Sequence, residues 1–213
     1  MQDMIKIQSN ESTNVILKAI PGHFITPNSH VNYYLDMTTI KSRLSEASAA
    51  AKVLSGQIAA TTIVDTIVCI DGCEIIGAFL ADELTKAGIY SMNSHKTIYI
   101  VTPEHVNTGQ LVFRDNLQIM IKGKNVLLLM ASATTGQTIM KAVQTLTYYG
   151  ATISGISAVF SAATSSMGIP IHSIFSIKDL PEYKAFAPEG CSLCKDNIPI
   201  DAFANAYGYS SIR

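Results

Sequence analysis

An apolar run that leads directly into a small, hydroxyl-rich turn constrains this chain more than any other feature of its sequence. The run from Val126 to Met130 has the length and composition of a buried strand in a parallel sheet. Beyond the turn, Ile139, Val143 and Leu146 recur at the spacing of one helical face. The pattern therefore predicts a strand, a short loop and a helix, with the loop at the N-terminus of the helix.

The loop between these two elements has the composition of a phosphate site. The first backbone N–H groups of a helix have no intrahelical acceptor, and the helix dipole adds partial positive charge there. The glycine at position 136 lets the backbone approach a ligand closely. Serine and threonine are also common N-caps, so such a turn is more often only a cap. The residues that we predict to bind phosphate are Ser132, Ala133, Thr134, Thr135, Gly136, Gln137 and Thr138.

A second strand, turn and helix precede this unit. Thr66 to Ile70 is a short apolar strand, Asp71 to Glu74 is a turn, and Ile75 to Ala87 is a helix that ends at Gly88. Alternation of strands with helices predicts a parallel sheet with right-handed crossovers, on which ligands bind at the carboxyl ends of the strands. The turn at Asp71 is therefore expected on the same rim as the phosphate loop. Further strands are predicted at Thr97 to Val101, Thr152 to Phe160 and Ile169 to Ile177.

Two other segments have less specific patterns. An Ala-rich stretch from Ser42 to Ala60 predicts a packing helix, and its apolar stripe consists of Leu44, Ala47, Ala51 and Leu54. A polar stretch from Thr102 to Lys124 is long enough for either a hairpin or a mobile flap over the site.

The phosphate loop resembles part of the phosphoribosyl pyrophosphate (PRPP) motif of type I phosphoribosyltransferases. In that motif an apolar strand ends in two acidic residues and continues into Thr-Thr-Gly-x-Thr, which Thr134 to Thr138 match here. A second resemblance lies near the N-terminus. Gly22 to Phe24, followed by Asn32 to Asp36, resembles the hood of the orotate phosphoribosyltransferases of this family.

Two weaker resemblances point to the same branch. Asp71 to Gly77 resembles the turn whose backbone meets the pyrophosphate in this family. Cys191 to Cys194, followed by Ile198 to Ile200, is similar to a tail in one branch of the orotate enzymes. The resemblance thus spans about residues 21–200.

This resemblance implies an α/β fold with a mostly parallel twisted sheet flanked by helices. It implies one domain, with a small hood at about residues 1–40, a core at 41–180 and an irregular C-terminal tail at 181–213. It also implies a homodimer that binds PRPP or a nucleotide 5′-phosphate. By the resemblance, the candidates for the pyrophosphate loop are Asp71, Gly72, Cys73 and Glu74, and those for a cationic flap are His105 and Arg114.

The chain departs from the family pattern at three places. Met130 and Ala131 occupy the positions of the two acidic residues, which in the family hold the ribose hydroxyls of PRPP with help from Mg²⁺. The flap stretch from Thr102 to Asn116 offers no cationic side chain beyond the two candidates just named. The stretch from Ser161 to Ala163, where orotate enzymes place a substrate-binding arginine, has no cation.

These departures leave the function open between alternatives. The chain is either an orotate phosphoribosyltransferase-like enzyme or a catalytically degenerate regulatory protein that binds a nucleotide or phosphate on the same fold. A structural partner protein without a small ligand is a third, weaker alternative. Replacement carboxylates are offered by Asp71, Glu74 and Asp115, although acidic residues in loops are usually only solvated. The loss of the acidic pair argues against Mg²⁺ as a cofactor.

The composition excludes several classes of function. A net charge of −1 without a Lys/Arg cluster gives no field that would attract nucleic acid. The longest apolar runs are far below the roughly 18 residues of a membrane span, and we expect a cytoplasmic protein without a membrane partner. Charged residues make up 15% of the chain, below the roughly 25% usual in soluble proteins, which predicts surface covered by self-association.

Cysteine spacing raises the question of a metal. Cys191 and Cys194 have the spacing of metal ligands, and Cys69 with Cys73 forms a second pair, so a four-thiolate zinc site is arithmetically allowed. A single C-x-x-C in a cytosolic protein is more often two free thiols, and we predict no metal site. The sequence shows no partner for three histidines, which we expect to be structural: His23, His30 and His172.

Overall fold

The computed structural model describes residues 3–86, 88–94, 96–106 and 110–212, leaving aside the side chain of Ile89. The strands are β1 (Ile5–Gln8), β2 (Ile16–Ile25), β3 (His30–Asp36), β4 (Thr66–Cys69), β5 (Tyr99–Val101), β6 (Glu104–His105), β7 (Leu111–Val112), β8 (Asn125–Ala133), β9 (Thr152–Ser161), β10 (Ser165–Ser166), β11 (Ile169–Ser176), β12 (Ala185–Phe186), β13 (Ala202–Asn205) and β14 (Gly208–Ser211). The helices are α1 (Thr38–Ser42), α2 (Leu44–Ile58), α3 (Glu74–Lys86), α4 (Asp115–Gln118), α5 (Gln137–Tyr148) and α6 (Ser192–Lys195).

A six-stranded sheet forms the core, in the order β10-β11-β9-β8-β4-β5. The strands from β11 to β5 are parallel to their neighbours, and β10 is antiparallel to β11. β4 and β8 are adjacent, with Cys69 opposite Leu129, so their carboxyl ends reach the same edge of the sheet. The predicted α/β architecture with a mostly parallel sheet is confirmed.

A second six-stranded sheet contains the predicted hood. Its order is β12-β3-β2-β13-β14, and β1 pairs with β2. β13 runs parallel to β2, with Ala202 opposite Phe24. The tail that the sequence predicted to be irregular therefore supplies three strands to this sheet. These strands have two to four residues each, too few for an alternating pattern to indicate them.

The helix predicted at Ser42 to Ala60 is found as α2, Leu44–Ile58, and the short helix α1 precedes it. Arg43 has an extended backbone, with φ −96° and ψ 124°, and separates α1 from α2. Leu44, predicted on the buried stripe, is 71% exposed, because the break makes it the first residue of a new helix. The other three stripe residues are fully buried as predicted, at Ala47, Ala51 and Leu54.

The hood is packed on the core sheet rather than tethered to it. One hydrophobic cluster joins Leu17 and Phe24 of the hood to Leu54 of α2 and Leu129 of β8. A second cluster contains Ile139 of α5 and the alternate side chains of β8. Within the described ranges, no helix combines the length and the apolar composition that a membrane span requires.

Candidate functional site

A cavity of about 500 Å³ lies at the carboxyl ends of β4 and β8, between the core sheet and the hood. The hood contributes the β2–β3 loop from Thr26 to Ser29, the core contributes Asp71 and the stretch from Met130 to Gly136, and the tail contributes Ala204 to Tyr207. Other lining residues include Tyr33, Tyr34, Lys41, His105, Thr138, Lys141 and Tyr183. The position is the one expected for a ligand on a parallel sheet, and the volume lies in the usual range for small-molecule sites.

The phosphate loop is shorter than the sequence indicated. β8 continues to Ala133 and α5 begins at Gln137, so the loop itself is Thr134 to Gly136. Gly136 has a φ of 74°, a left-handed conformation that favours glycine. The unpaired N–H groups at the start of α5 therefore follow directly on a segment that lines the cavity.

Six of the seven predicted phosphate-binding residues line the cavity. The exception is Gln137, which is exposed and does not contribute to the cavity wall. The residues that do line it are Ser132, Ala133, Thr134, Thr135, Gly136 and Thr138. Their role in binding phosphate stays a prediction.

The loop is held from two sides. Thr134 is hydrogen-bonded to the side chain of Tyr183, and burial raises the pKa of Tyr183 to about 12, so this hydroxyl remains protonated near neutral pH. From the hood, Asn28 Nδ2 donates to Thr138 Oγ1 at 3.4 Å. These contacts position the loop hydroxyls before any ligand arrives.

The positions of the missing acidic pair lie in the cavity wall. Met130 is fully buried and Ala131 is 7% exposed, and both line the cavity. Neither side chain can bind a ribose hydroxyl or a metal ion. The departure seen in the sequence is thus located in the wall of the cavity.

Asp71 brings a carboxylate to the same place from the neighbouring strand. The backbone N–H of Ala131 donates to this carboxylate. Burial raises the pKa of Asp71, and the positive charge of Lys41 and the hydrogen bond from Ala131 oppose that rise. The backbone φ of Asp71 is 61°, which is uncommon for a residue other than glycine.

The other candidates for replacement carboxylates lie outside the cavity wall. Glu74 accepts a hydrogen bond from Thr102 Oγ1 at 3.1 Å, and Asp115 accepts one from Gln118 Nε2 at 3.1 Å. Among the residues that the structure describes, Asp71 is the one carboxylate that lines the cavity.

The predicted pyrophosphate loop contributes through its first residue. Asp71 lines the cavity, whereas Cys73 is fully buried and Glu74 begins α3. Gly72 has a φ of 76°, and a Cβ added there would lie 3.6 Å from Lys41 Nζ. Lys41 Nζ donates to the backbone carbonyls of Asp71 at 2.8 Å and Ala206 at 2.6 Å.

Two cavity lysines were missed by the sequence analysis. Lys141 follows Thr138 by three residues, which places both on one face of α5, so helical spacing could have indicated it. Lys41 lies in α1, about 30 positions before the pyrophosphate loop that it contacts. No local signal in the sequence could have indicated that contact.

The predicted flap is a short hairpin in which β6 pairs with β7, followed by α4. His105 lines the cavity. Arg114 does not, and its guanidinium forms a bidentate ion pair with the exposed carboxylate of Glu104, with 3.1 Å from Nε to Oε1 and 2.6 Å from Nη2 to Oε2. Positions 107–109 of this stretch lie outside the described residues.

The stretch from Ser161 to Ala163, where orotate enzymes place a substrate-binding arginine, forms an internal hydrogen bond. Ser161 is 2% exposed, and its hydroxyl donates to the carbonyl of Ala163 at 2.6 Å. This edge of the site offers a ligand no charge.

The two cysteine pairs lie on different parts of the molecule. Cys69 and Cys73 are fully buried beside α3 of the core. Cys191 and Cys194 lie at α6 and contact His23 and His30 of the hood. The sequence analysis gave these histidines no partner, because the partners are about 170 positions away.

Comparison with known proteins first defines the class. No family model matches the chain. The orotate phosphoribosyltransferase of Mycobacterium tuberculosis H37Rv has a similar structure, with a TM-score of 0.52 and 15% identity over 77% of this chain and 92% of that one. The enzyme of Aeropyrum pernix gives a TM-score of 0.52 and 21% identity over 77% and 90% of the two chains. The fold is that of the type I phosphoribosyltransferases.

Sequence similarity then points to one branch. The orotate phosphoribosyltransferase of Chlorobium phaeobacteroides (strain DSM 266) is 26% identical over 196 residues, which cover 90% of each protein. That of Chlorobaculum parvum is 26% identical over 206 residues, covering 91% of this chain and 95% of the relative. The predicted resemblance to the type I family, in its orotate branch, is confirmed.

Proposed function

We propose that this orotate phosphoribosyltransferase-like chain binds PRPP or a nucleotide 5′-phosphate in the cavity, with the phosphate on the loop before α5. One observation carries the proposal: six of the seven residues of the predicted phosphate loop line a cavity at the start of a twelve-residue helix. Lys141, one turn after Thr138, adds a positive charge to the same wall. Main-chain N–H groups, hydroxyls and a cation together suit a dianionic phosphate.

Lys41 provides a second cation on the cavity wall, which a second anionic group of the ligand could contact. Lys41 uses two of its three donors on the carbonyls of Asp71 and Ala206, and this leaves one for a ligand. The left-handed backbone at Asp71 and Gly72 lies beside it. Two cations on the wall of one cavity, Lys41 and Lys141, suit a ligand with two phosphorylated positions, as in PRPP.

Binding is better supported than fast catalysis. In a phosphoribosyl transfer, a base nitrogen bonds to the anomeric carbon while pyrophosphate leaves, and ribose contacts hold the sugar in place. Each charge-assisted hydrogen bond of this kind contributes about 1.5–3 kcal/mol. Loss of both at Met130 and Ala131 would slow transfer by roughly two to four powers of ten, since 1.36 kcal/mol is tenfold.

Mg²⁺ fits the donor set poorly. Magnesium in such sites is held by one or two carboxylates together with substrate phosphates. Within the described part of the chain, the cavity wall offers the carboxylate of Asp71 alone, and burial raises the pKa of that group. Any magnesium would therefore depend on Asp71 and on the phosphates of the ligand.

A thermal-shift panel tests the binding proposal. PRPP, pyrophosphate, orotate and nucleoside 5′-monophosphates are each added with and without Mg²⁺, and a ligand that binds the folded state raises the midpoint. We expect the phosphorylated compounds to raise it, and the double variant Gly136→Val, Thr138→Ala to lose that shift. Gln137→Ala is the matched control, because Gln137 lies in the same segment but outside the cavity wall. Equal shifts in all three proteins would place the phosphate elsewhere.

The active alternative has one specific observation in its favour, the hydrogen bond from Ala131 to the carboxylate of Asp71. If Asp71 replaces the acidic pair, the parent consumes orotate and PRPP with Mg²⁺, and Asp71→Asn abolishes turnover. We expect very weak parental turnover and a gain in the double variant Met130→Glu, Ala131→Asp. Because Met130 is fully buried, far-ultraviolet circular dichroism must first show that this variant folds. Robust parental turnover would overturn our preference for binding over chemistry.

A further inference from the structure

Four metal-ligating side chains converge at one point outside the cavity. Their ligand atoms, the imidazole nitrogens of His23 and His30 and the sulfurs of Cys191 and Cys194, all lie within 4.8 Å of one another. The two histidines come from the adjacent strands β2 and β3, and the two cysteines come from the turn around α6. The fold thus brings together four side chains that lie far apart in the sequence.

We propose that His23, His30, Cys191 and Cys194 bind one Zn²⁺ ion as a structural site. Two cysteines and two histidines are a common ligand set of structural zinc, and the spacing C-x-x-C is typical of it. Four protein ligands close the coordination sphere. A closed sphere leaves no position for a substrate, so the site is structural rather than catalytic.

Four of the six distances between ligand atoms are close to the edges of a zinc tetrahedron, and the other two are at most 4.8 Å. With Zn–N near 2.0–2.1 Å and Zn–S near 2.3 Å, tetrahedral angles require about 3.3 Å between two nitrogens and about 3.6 Å between nitrogen and sulfur. The structure has 3.1 Å between His23 Nε2 and His30 Nδ1. The sulfur of Cys194 lies 3.3 Å from His30 Nδ1 and 3.6 Å from His23 Nε2, and that of Cys191 lies 3.7 Å from His23 Nε2.

The neighbouring main chain fixes one ligand in the required form. His23 Nδ1 lies 2.8 Å from the carbonyl oxygen of Ile198, which can only accept a hydrogen bond. The proton of a neutral His23 is therefore on Nδ1, and Nε2 presents its lone pair to the other three ligands. A hydrogen bond of this kind to the second imidazole nitrogen is the usual support of a zinc-bound histidine.

Burial and access also suit a metal. His23 and Cys191 are each 1% exposed, and His30 is 9% exposed, so the centre of the site is shielded from water. Cys194 is exposed and provides a path of entry.

The site would hold together the two parts of the cavity wall that come from outside the core. The loop between His23 and His30 contains Asn28, which contacts the phosphate loop. The chain after Cys194 continues into β13, whose end lines the cavity. The metal site does not depend on the proposed ligand of the cavity, and its test reads the metal directly.

The test measures metal in the whole chain. Protein purified without chelator and dialysed is analysed by plasma mass spectrometry, and we expect one zinc per chain. After removal of zinc, titration with Co²⁺ should give the strong visible absorption of tetrahedral cobalt with thiolate ligands, and excess Zn²⁺ should abolish it. Removing zinc should lower the thermal midpoint, since an ion bound to the folded state stabilises it.

Variants separate this site from other thiols. Cys194→Ser removes an exposed ligand, so the variant is expected to fold, and its affinity for Co²⁺ should fall at least 100-fold. That loss exceeds the roughly 10–100-fold effect of removing an outer-shell partner. Cys69→Ala is the matched control and should keep the cobalt spectrum. Substoichiometric zinc with only the weak spectrum of octahedral cobalt in the parent, or equal affinity in Cys194→Ser, would overturn the proposal.

Discussion

Asp71 joins a buried carboxylate to a left-handed backbone at the edge of the cavity. Its side chain accepts a hydrogen bond from the N–H of Ala131, and its backbone carbonyl accepts one from Lys41 Nζ. Since Met130 and Ala131 carry no charge, this residue determines how much negative charge a ligand meets at the ends of the core strands. The protonation of one side chain therefore decides whether a metal ion or an anion is favoured there.

The variant Asp71→Asn should become more stable relative to the parent as pH rises. Burial raises the pKa of Asp71 in the folded state above its value in the unfolded chain. Between these two pKa values the folded parent binds more protons than the unfolded chain, so the parent loses stability as pH rises through this interval. Asparagine has no such ionisation and tolerates a positive φ. The urea denaturation midpoints of both proteins at about pH 4 and about pH 7 measure how the stability difference between them changes with pH. A difference that does not change with pH would show that Lys41 and Ala131 fully compensate the burial.

At the scale of elements, close packing of α3 on β4 depends on Gly77. A Cβ added at this position would overlap the sulfur of Cys69, which is fully buried. Since buried sites adapt only partly to added atoms, the helix would have to shift away from the sheet.

We expect Gly77→Ala to destabilise the protein by about 1–3 kcal/mol, although alanine favours helix. The matched control is Gly56→Ala in α2, where an added Cβ has no neighbour within 4 Å. This control should stabilise the protein by about 0.4–1 kcal/mol. Urea denaturation of the three proteins measures both effects, and a Gly77→Ala variant as stable as the parent would contradict the proposed role of the glycine.

The elements differ in how well the sequence predicted them. β4, β8 and α3 follow from apolar runs or helical spacing, and their observed bounds lie within three residues of the predicted ones. α5 follows from the helical spacing of Ile139, Val143 and Leu146. The short helix α1 was missed because its five residues are too few to show a helical pattern. Six residues of the predicted phosphate loop line the cavity, and the strand, turn and helix pattern accounts for their position at the edge of the sheet. The contacts of Lys41 and of the Asp71 carboxylate join distant segments, which no local pattern indicates. The contacts of His23 and His30 with Cys191 and Cys194 also join segments that are distant in the sequence.

At the scale of the whole molecule, the surface retains large apolar side chains. Tyr207, at the cavity, is 89% exposed, Tyr148 is 84% exposed and Ile119 is 73% exposed. Three ion pairs occur among the described residues. With charged residues at 15% of the chain, this surface favours association over complete solvation.

We propose a homodimer, in agreement with the resemblance to the type I family. A closed two-fold pair is the commonest arrangement for such a surface. Sedimentation velocity at micromolar concentration should give twice the chain mass of 22.9 kDa. A second run at tenfold lower concentration shows whether the pair dissociates, and a monomer at every concentration would refute the dimer.

The parallel pairing of β2 with β13 implies that the hood sheet is completed after the core sheet. The N–H of His23 bonds to the carboxylate of Asp201, 178 positions further along the chain. Contacts between residues so far apart in the chain form late in folding. The chain must lose the conformational entropy of closing a long loop before the contact can contribute favourable free energy. Until β13 pairs with Phe24 and Ile25, this end of β2 has a free edge that can pair with another chain. Refolding at high concentration should therefore fail first at the hood, with aggregates formed by chains whose core sheet is already complete.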